Sequence, residues 1–103
     1  MSNPYSEFIK PEDCLLLLVD VQAVMLDRCE ESGRLRKNCA ALLEIAEILE
    51  VPVLFTVHNA EKLGGFLPEL LEKVKEPRVL NKMEFSCFEN EGIGAAVMET
   101  GRR

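Results

Sequence analysis

Length and composition limit the chain to one domain, because its 103 residues, 48% of them hydrophobic, suffice for a single core of modest size. Eighteen Asp and Glu against twelve Lys and Arg leave a net charge of −6, so nucleic acid is not an expected partner, since phosphates bind basic surfaces. The longest aliphatic run, residues 15–19, is far shorter than the roughly 20 residues of a membrane span, so we expect a cytoplasmic protein without a membrane partner.

The first half of the chain has the pattern of a strand, a helix and a second strand. Residues 14–19 are continuously apolar, which is typical of a parallel strand covered on both faces. Apolar residues then recur at spacings of three and four, which predicts an amphipathic helix over residues 35–50. Residues 51–57 (VPVLFTV) predict a second buried strand, and Pro52 falls among its first residues, where a missing N–H is tolerated.

The second half of the chain predicts shorter elements. They are a loop at 58–65 (HNAEKLGG), a short helix at 67–74, a brief strand at 78–80, an irregular segment at 81–91 and a final helix at 92–100 that stops at Gly101. Strands and helices therefore alternate along the whole chain. This order predicts an α/β fold with a mostly parallel sheet and flanking helices, in the three layers of a Rossmann-like protein.

Polar residues directly follow each of the three predicted strands. Asp20 follows the first, His58 and Asn59 follow the second, and Asn81 and Lys82 follow the third. The carboxyl ends of parallel strands lie at one edge of a sheet, and ligands of such sheets bind there. We therefore expect these side chains to converge.

Two interpretations compete for each charged residue at this edge. Asp20 is either the N-cap of a helix starting at Val21 or a carboxylate in a site. A capping box, which would favour the first interpretation, needs Glu or Gln at position 23, where this chain has Ala23. Lys82 is either a solvated lysine or a buried one that needs a carboxylate. Apolar residues at 83–88 (MEFSCF) predict a segment pressed onto the core, which favours a buried Lys82 paired with Asp20.

The sequence lacks the motifs of several other kinds of functional site. The stretch VQAVMLDR after the first strand contains no glycine, which excludes a P-loop or dinucleotide fingerprint there, and no serine-hydrolase elbow occurs. The sequence has four cysteines, at positions 14, 29, 39 and 87, without a CxxC pair, and it contains a single histidine. We therefore expect neither a zinc site nor a disulfide framework. Cys14 and Cys39 are interpreted as small buried hydrophobic residues.

Three segments in order, LLLLVDVQ, VPVLFTVHNAEKLGG and VLNKMEFSCF, resemble the isochorismatase-like hydrolases, a cysteine hydrolase superfamily that includes nicotinamidases. The resemblance runs from about Cys14 to the last residue. It implies a triad of an Asp after strand one, the Lys of a K-x-x-F-S segment and a cysteine nucleophile, and Asp20 and Lys82 match the first two. The implied reaction is hydrolysis of a small amide, imide or related C–N substrate, in which Asp20 takes the thiol proton and Lys82 favours the thiolate.

The resemblance also implies a missing part of the site. Relatives carry the cysteine in a later turn of the type G-x-x-T-x-x-C-V, which this sequence lacks. We therefore expect residues 1–103 to be the N-terminal part of a single hydrolase domain, truncated after the third βα unit and inactive by itself. The alternative is a noncatalytic paralogue that acts as an interaction module. Cys87 and Cys29 are disfavoured as substitute nucleophiles, because FSCFEN lacks a strained helix start that would activate a thiol and Cys29 lies in a polar patch.

The expected substrate-pocket residues are Gln22, His58, Asn59 and Phe85. Nicotinamidases bind a metal through an Asp and two His after strand two, but VHNAEKLGG offers His58 alone, so we expect neither a metal nor another cofactor. The competing interpretation of His58 is a polar residue without catalytic duty. Because the family places strand one in mid-sheet, we also expect a homo-oligomer, or pairing with the missing half of the domain, to cover this strand.

Overall fold

A computed structural model describes residues 10–102. Its strands and α-helices are β1 (Leu16–Val19), α1 (Ala23–Leu26), α2 (Ser32–Ile48), β2 (Val53–His58), α3 (Ala60–Leu63), α4 (Pro68–Leu71), β3 (Val79–Lys82) and α5 (Glu91–Glu99). Two single 3-10 turns accompany them, at Pro11–Asp13 and Cys87–Glu89. Within residues 10–102, no helix combines the length and the apolar character that crossing a bilayer requires.

The three strands form one parallel sheet in the order β1-β2-β3. The register pairs Val19 with Thr56 and His58 with Lys82, so the three strands end close to one another. The predicted α/β fold with a parallel sheet and flanking helices is therefore confirmed. In the described part of the chain, β2 is the central strand and β1 has a free edge.

The main core lies between the sheet and helices α2 and α4. Alternate residues of β2, Phe55 and Val57, are buried there with Cys39 and Leu43 of α2 and with Leu70. Burial of each large side chain contributes about 1.5–3 kcal/mol. The intervening residues of β2, Leu54 and Thr56, point to the opposite face and are buried too, so both faces of this strand are covered.

The structure corrects several predicted boundaries. Strand β1 begins at Leu16, whose N–H donates to the Pro52 carbonyl oxygen at 2.9 Å, while Cys14 precedes the sheet and is partly exposed rather than buried. Pro52 likewise lies just before β2. Helix α2 begins at Ser32, three residues earlier than predicted, because its polar first turn has no apolar residue from which the pattern could detect it.

The stretch predicted as a loop at 58–65 contains the end of β2 and one helical turn, α3. Asn59 precedes this turn in the left-handed backbone region, with a φ of 45°, a conformation that Asn tolerates better than most residues. The N–H of Ala60 donates to the side-chain oxygen of Asn81 at 2.9 Å. A four-residue helix has no room for an apolar period, which is why the sequence pattern did not indicate it.

Candidate active site

A buried ion pair joins the carboxyl ends of β1 and β3. The Nζ of Lys82 lies 2.7 Å from Oδ2 of Asp20, and the side chains are 1% and 22% exposed respectively. The predicted pairing is therefore confirmed, and the alternative of a solvated lysine is wrong. A lysine at this depth is stable as a cation only with a carboxylate and further acceptors around it.

Two backbone carbonyls complete the surroundings of the ammonium group. The oxygens of Glu84 and Phe85 lie 3.1 and 3.5 Å from Nζ of Lys82. An ammonium has three N–H donors, so these acceptors and the carboxylate match its capacity. The side chain consequently presents its charge to the site rather than a free donor.

The carboxylate of Asp20 is held on its other side by Thr56. The hydroxyl of Thr56, a fully buried residue of β2, donates to Oδ1 of Asp20 at 3.0 Å, and the N–H of Asp20 donates to the Thr56 carbonyl oxygen at 3.0 Å. The N-cap of α1 is Gln22, which makes no side-chain cap bond, so the interpretation of Asp20 as a helix cap is wrong. Thr56 was missed in the sequence, where its only signal was a hydroxyl within a buried apolar strand.

Gln22 is fully buried, and its amide binds three backbone groups. Its Nε2 donates to the carbonyl oxygens of Gly64 at 2.7 Å and His58 at 3.2 Å, and its Oε1 accepts from the N–H of His58 at 2.8 Å. These bonds tie the chain after β1 to the end of β2 and to the following loop. They occupy the amide, which indicates a role in holding the edge of the sheet rather than in contacting a ligand.

His58 and Phe85 form an aromatic pair at the same edge. Their ring centroids are 5.7 Å apart, with planes inclined by 13°. Phe85 is 94% exposed, whereas Nδ1 of His58 is buried and has no hydrogen-bond partner among the described residues. Asn59 contributes its backbone N–H to the Lys82 carbonyl oxygen at 2.9 Å. The pocket candidates are thus brought together around the end of β2.

The segment after Lys82 does not press onto the core as predicted. Met83, Phe85 and Phe88 are 62%, 94% and 69% exposed, and Cys87 alone of the apolar residues is buried. Lys82 is the last residue of β3, and the turn that follows it folds over its side chain. The carbonyl oxygens of this turn face the ammonium group. The sequence of a short turn does not indicate whether its aromatic side chains point to the core or to solvent. The exposure of these side chains could therefore not be predicted.

Among residues 10–102, the four cysteines form no hydrogen bond with Asp20 or Lys82. The thiols of Cys14 and Cys29 donate to the carbonyl oxygens of Lys10 and Met25, each one helical turn away. Cys39 lies in the core, and burial raises the pKa of its thiol, which keeps it protonated and unreactive. Within the same residues, His, Cys, Asp and Glu nowhere gather in groups of three that could hold a metal ion.

Known proteins are similar to this chain in sequence or in fold. The mouse isochorismatase domain-containing protein 2B is 36% identical over 78 residues, which cover 76% of this chain and 36% of the mouse protein. The YcaC gene product of Escherichia coli, described as an octameric hydrolase of unknown specificity, aligns with a TM-score of 0.84 and 27% identity, over 98% of this chain and 51% of that chain.

A second solved structure and a family model agree with these relatives. YcaC from Pseudomonas aeruginosa, solved with hexane-2,5-diol and covalent acrylamide, gives a TM-score of 0.83 at 28% identity, over 98% of this chain and 52% of that chain. The chain thus spans about half the length of the two structures and a smaller share of the mouse protein. Residues 14–103 match the model of the isochorismatase domain. The chain therefore belongs to the isochorismatase-like hydrolase family.

Proposed function

We propose that the chain supplies the Asp20 and Lys82 side of a cysteine hydrolase site that acts on a small amide, imide or related C–N substrate. The observation that supports this proposal is the 2.7 Å ion pair with its buried lysine at the carboxyl edge of a parallel sheet. Asp20, the less buried partner, keeps part of its carboxylate open to that edge. Apolar residues can often replace a buried ion pair without loss of stability, so the presence of this pair at the ligand-binding edge of the sheet favours a chemical role.

In the proposed reaction, Asp20 takes the proton from a cysteine thiol, and the thiolate then attacks the carbonyl carbon of the substrate. A C–S bond forms, and the C–N bond breaks as the amine leaves with the proton that Asp20 holds. Water then hydrolyses the thioester, which releases the acid and restores the thiol. Lys82 stabilises the thiolate through its charge, because its own donors are engaged. The relative with covalent acrylamide lends support, since acrylamide is an electrophile that thiolates attack.

The nucleophile, in this proposal, stands on polypeptide outside residues 1–103. These residues would then be the N-terminal part of one hydrolase domain, and activity would need the rest of that domain. We expect the chain alone to hydrolyse neither simple amides nor nicotinamide at any pH, which a sensitive ammonia-release assay measures. The Cys87→Ser variant is the control: activity that iodoacetamide abolishes and that this variant lacks would assign the nucleophile to Cys87 instead.

A second surface favours association with further polypeptide. An open groove of about 170 Å³ lies at the amino end of β1, away from Asp20, and Leu15, Leu16, Leu42, Ile45 and Leu49 contribute to its lining. The last three belong to α2 or follow it directly, and they are 46%, 51% and 47% exposed. Together with the free edge of β1, this apolar surface fits the remainder of a domain or another copy of the chain. It is also the observation that supports an interaction module as the second candidate function.

Residues 1–103 expressed alone are therefore expected to self-associate. Ile45→Glu should raise the monomer fraction, because it places a charge in the apolar groove, whereas Met98→Glu, at an exposed position of α5, should leave association unchanged. Size-exclusion chromatography with light scattering measures the association, and hydrogen exchange reports on the amides of β1. A stable monomer across the accessible concentration range would contradict the prediction.

A further inference from the structure

The carbonyls that bind Lys82 belong to a turn whose side chains pack little against the core. Met83 and Phe85, on either side of Glu84, are 62% and 94% exposed, so their side chains contribute little burial to this turn. The carbonyl oxygens of Glu84 and Phe85 nevertheless lie within hydrogen-bonding reach of the buried ammonium. Apart from the stacking of Phe85 on His58, apolar contact restrains this turn little, so polar contacts must help to keep these oxygens in position.

The side chain of Glu84 provides that restraint. Its Oε1 accepts from the N–H of Met83 at 3.1 Å, and its two oxygens accept from Nδ2 of Asn90 at 3.3 and 3.2 Å. These hydrogen bonds, the one from the Met83 N–H most and the one from the Asn90 amide next, hold the pKa of the Glu84 carboxyl below its ordinary value. The carboxylate is therefore charged at neutral pH.

Asn90 connects this carboxylate to a helix anchored in the protein. Its Oδ1 accepts from the N–H of Ile93 at 3.0 Å, which makes it the N-cap of α5. Ile93 is 0% exposed, so the first turn of α5 is fixed by burial. A continuous series of hydrogen bonds therefore runs from α5 through Asn90 and Glu84 to the turn that surrounds the Lys82 ammonium.

We propose that Glu84 and Asn90 are positioning residues for Lys82: their side-chain bridge fixes the turn whose carbonyls hold the ammonium against Asp20. The catalytic consequence rests on the proposed hydrolase function, but the placement of Lys82 does not. In that reaction, loosening of the bridge would let water reach Nζ and would weaken the charge acting on the thiolate. Neither residue needs to contact a substrate for this effect.

Three variants test the bridge without removing the cap of α5. Asn90→Asp keeps a capping oxygen but sets two carboxylates against each other. Asn90→Ser also keeps a cap and only removes the contact with Glu84. In the double variant Glu84→Gln with Asn90→Asp, the new amide donates to the new carboxylate, so the bridge is restored with its donor and acceptor exchanged.

The measurement is the rate at which acetic anhydride acylates Lys82, relative to exposed Lys62, by peptide mass spectrometry. We expect slow labelling in the parent chain and labelling at least about tenfold faster in Asn90→Asp, because a lost hydrogen bond to a charged group raises the open population by about that factor. Asn90→Ser should show a smaller increase, and the double variant should return to the parent rate.

Alkylation of Cys39, buried in the core, reports global opening in the same samples. The proposal requires unchanged protection of Cys39 while Lys82 becomes reactive. It is overturned if Asn90→Asp leaves Lys82 as protected as before, if the double variant labels as fast as Asn90→Asp, or if Cys39 loses protection in parallel. Because acylation needs no turnover, a lack of hydrolysis would affect the proposed function and not this placement.

Discussion

Asp20→Asn is expected to destabilise the fold by about 3–5 kcal/mol, because it leaves the Lys82 ammonium buried without its counter-charge. This is a large part of the roughly 5–15 kcal/mol that holds a domain together. Lys82→Met should cost less, since the remaining carboxylate is 22% exposed and keeps the Thr56 hydroxyl. Urea denaturation followed by circular dichroism measures both changes.

The double variant Asp20→Asn with Lys82→Met is the control for this prediction. Removing both charges leaves no buried ion, so the double variant should be more stable than Asp20→Asn alone, with a coupling free energy of about 2 kcal/mol or more. It also provides a folded reference if Asp20→Asn does not fold. Additive single effects would show that the two side chains do not depend on each other.

On the proposed function, Lys82→Met in a domain completed by its nucleophile is expected to lower kcat/KM by roughly 10²- to 10³-fold, because the thiolate and the developing oxyanion lose a fixed positive charge. The loss should appear mainly in kcat, since the lysine does not face the substrate with a free donor. Steady-state kinetics on a chromogenic amide give the comparison.

Lys62→Met serves as its matched control, because Lys62 is an exposed lysine on α3 near the same edge. That variant should retain parent activity. Thermal melting of both variants separates lost chemistry from lost folding. Retained turnover in a folded Lys82→Met protein would remove this lysine from the mechanism.

The pairing of Asp20 with Lys82 could be predicted from chain order alone. Residues at the carboxyl ends of parallel strands must meet at one edge of the sheet, which places the two charges together. This inference depends on backbone topology, which continuous apolar runs indicate well. The second argument for the pairing, an apolar segment pressed onto the core after Lys82, was wrong, since most of its apolar side chains are exposed. The role of Thr56 depends instead on the direction of one hydroxyl, which sequence patterns do not specify.

The details of the turn after β3 were also beyond sequence reasoning. Residues 83–88 have the composition of a buried segment, yet the turn exposes most of their apolar side chains. Its conformation is set by Glu84 and Asn90, two polar residues six positions apart that no apolar period connects. Gln22 illustrates the same limit, because a glutamine that binds backbone groups and one that binds a ligand are identical in sequence.

Asp20 has a left-handed backbone, with a φ of 56°, directly after β1. Side chains other than Gly, Asn and Asp are strained there by about 1 kcal/mol or more, so the turn itself restricts which residues this position accepts. Chain geometry and the buried charge of Lys82 thus both restrict this one position. A lineage that gives up the proposed reaction keeps both restrictions for as long as Lys82 is present. Asn or Gly at position 20 is therefore expected only in relatives in which an uncharged residue has replaced Lys82, and that paired replacement would mark the loss of the proposed reaction among related genes.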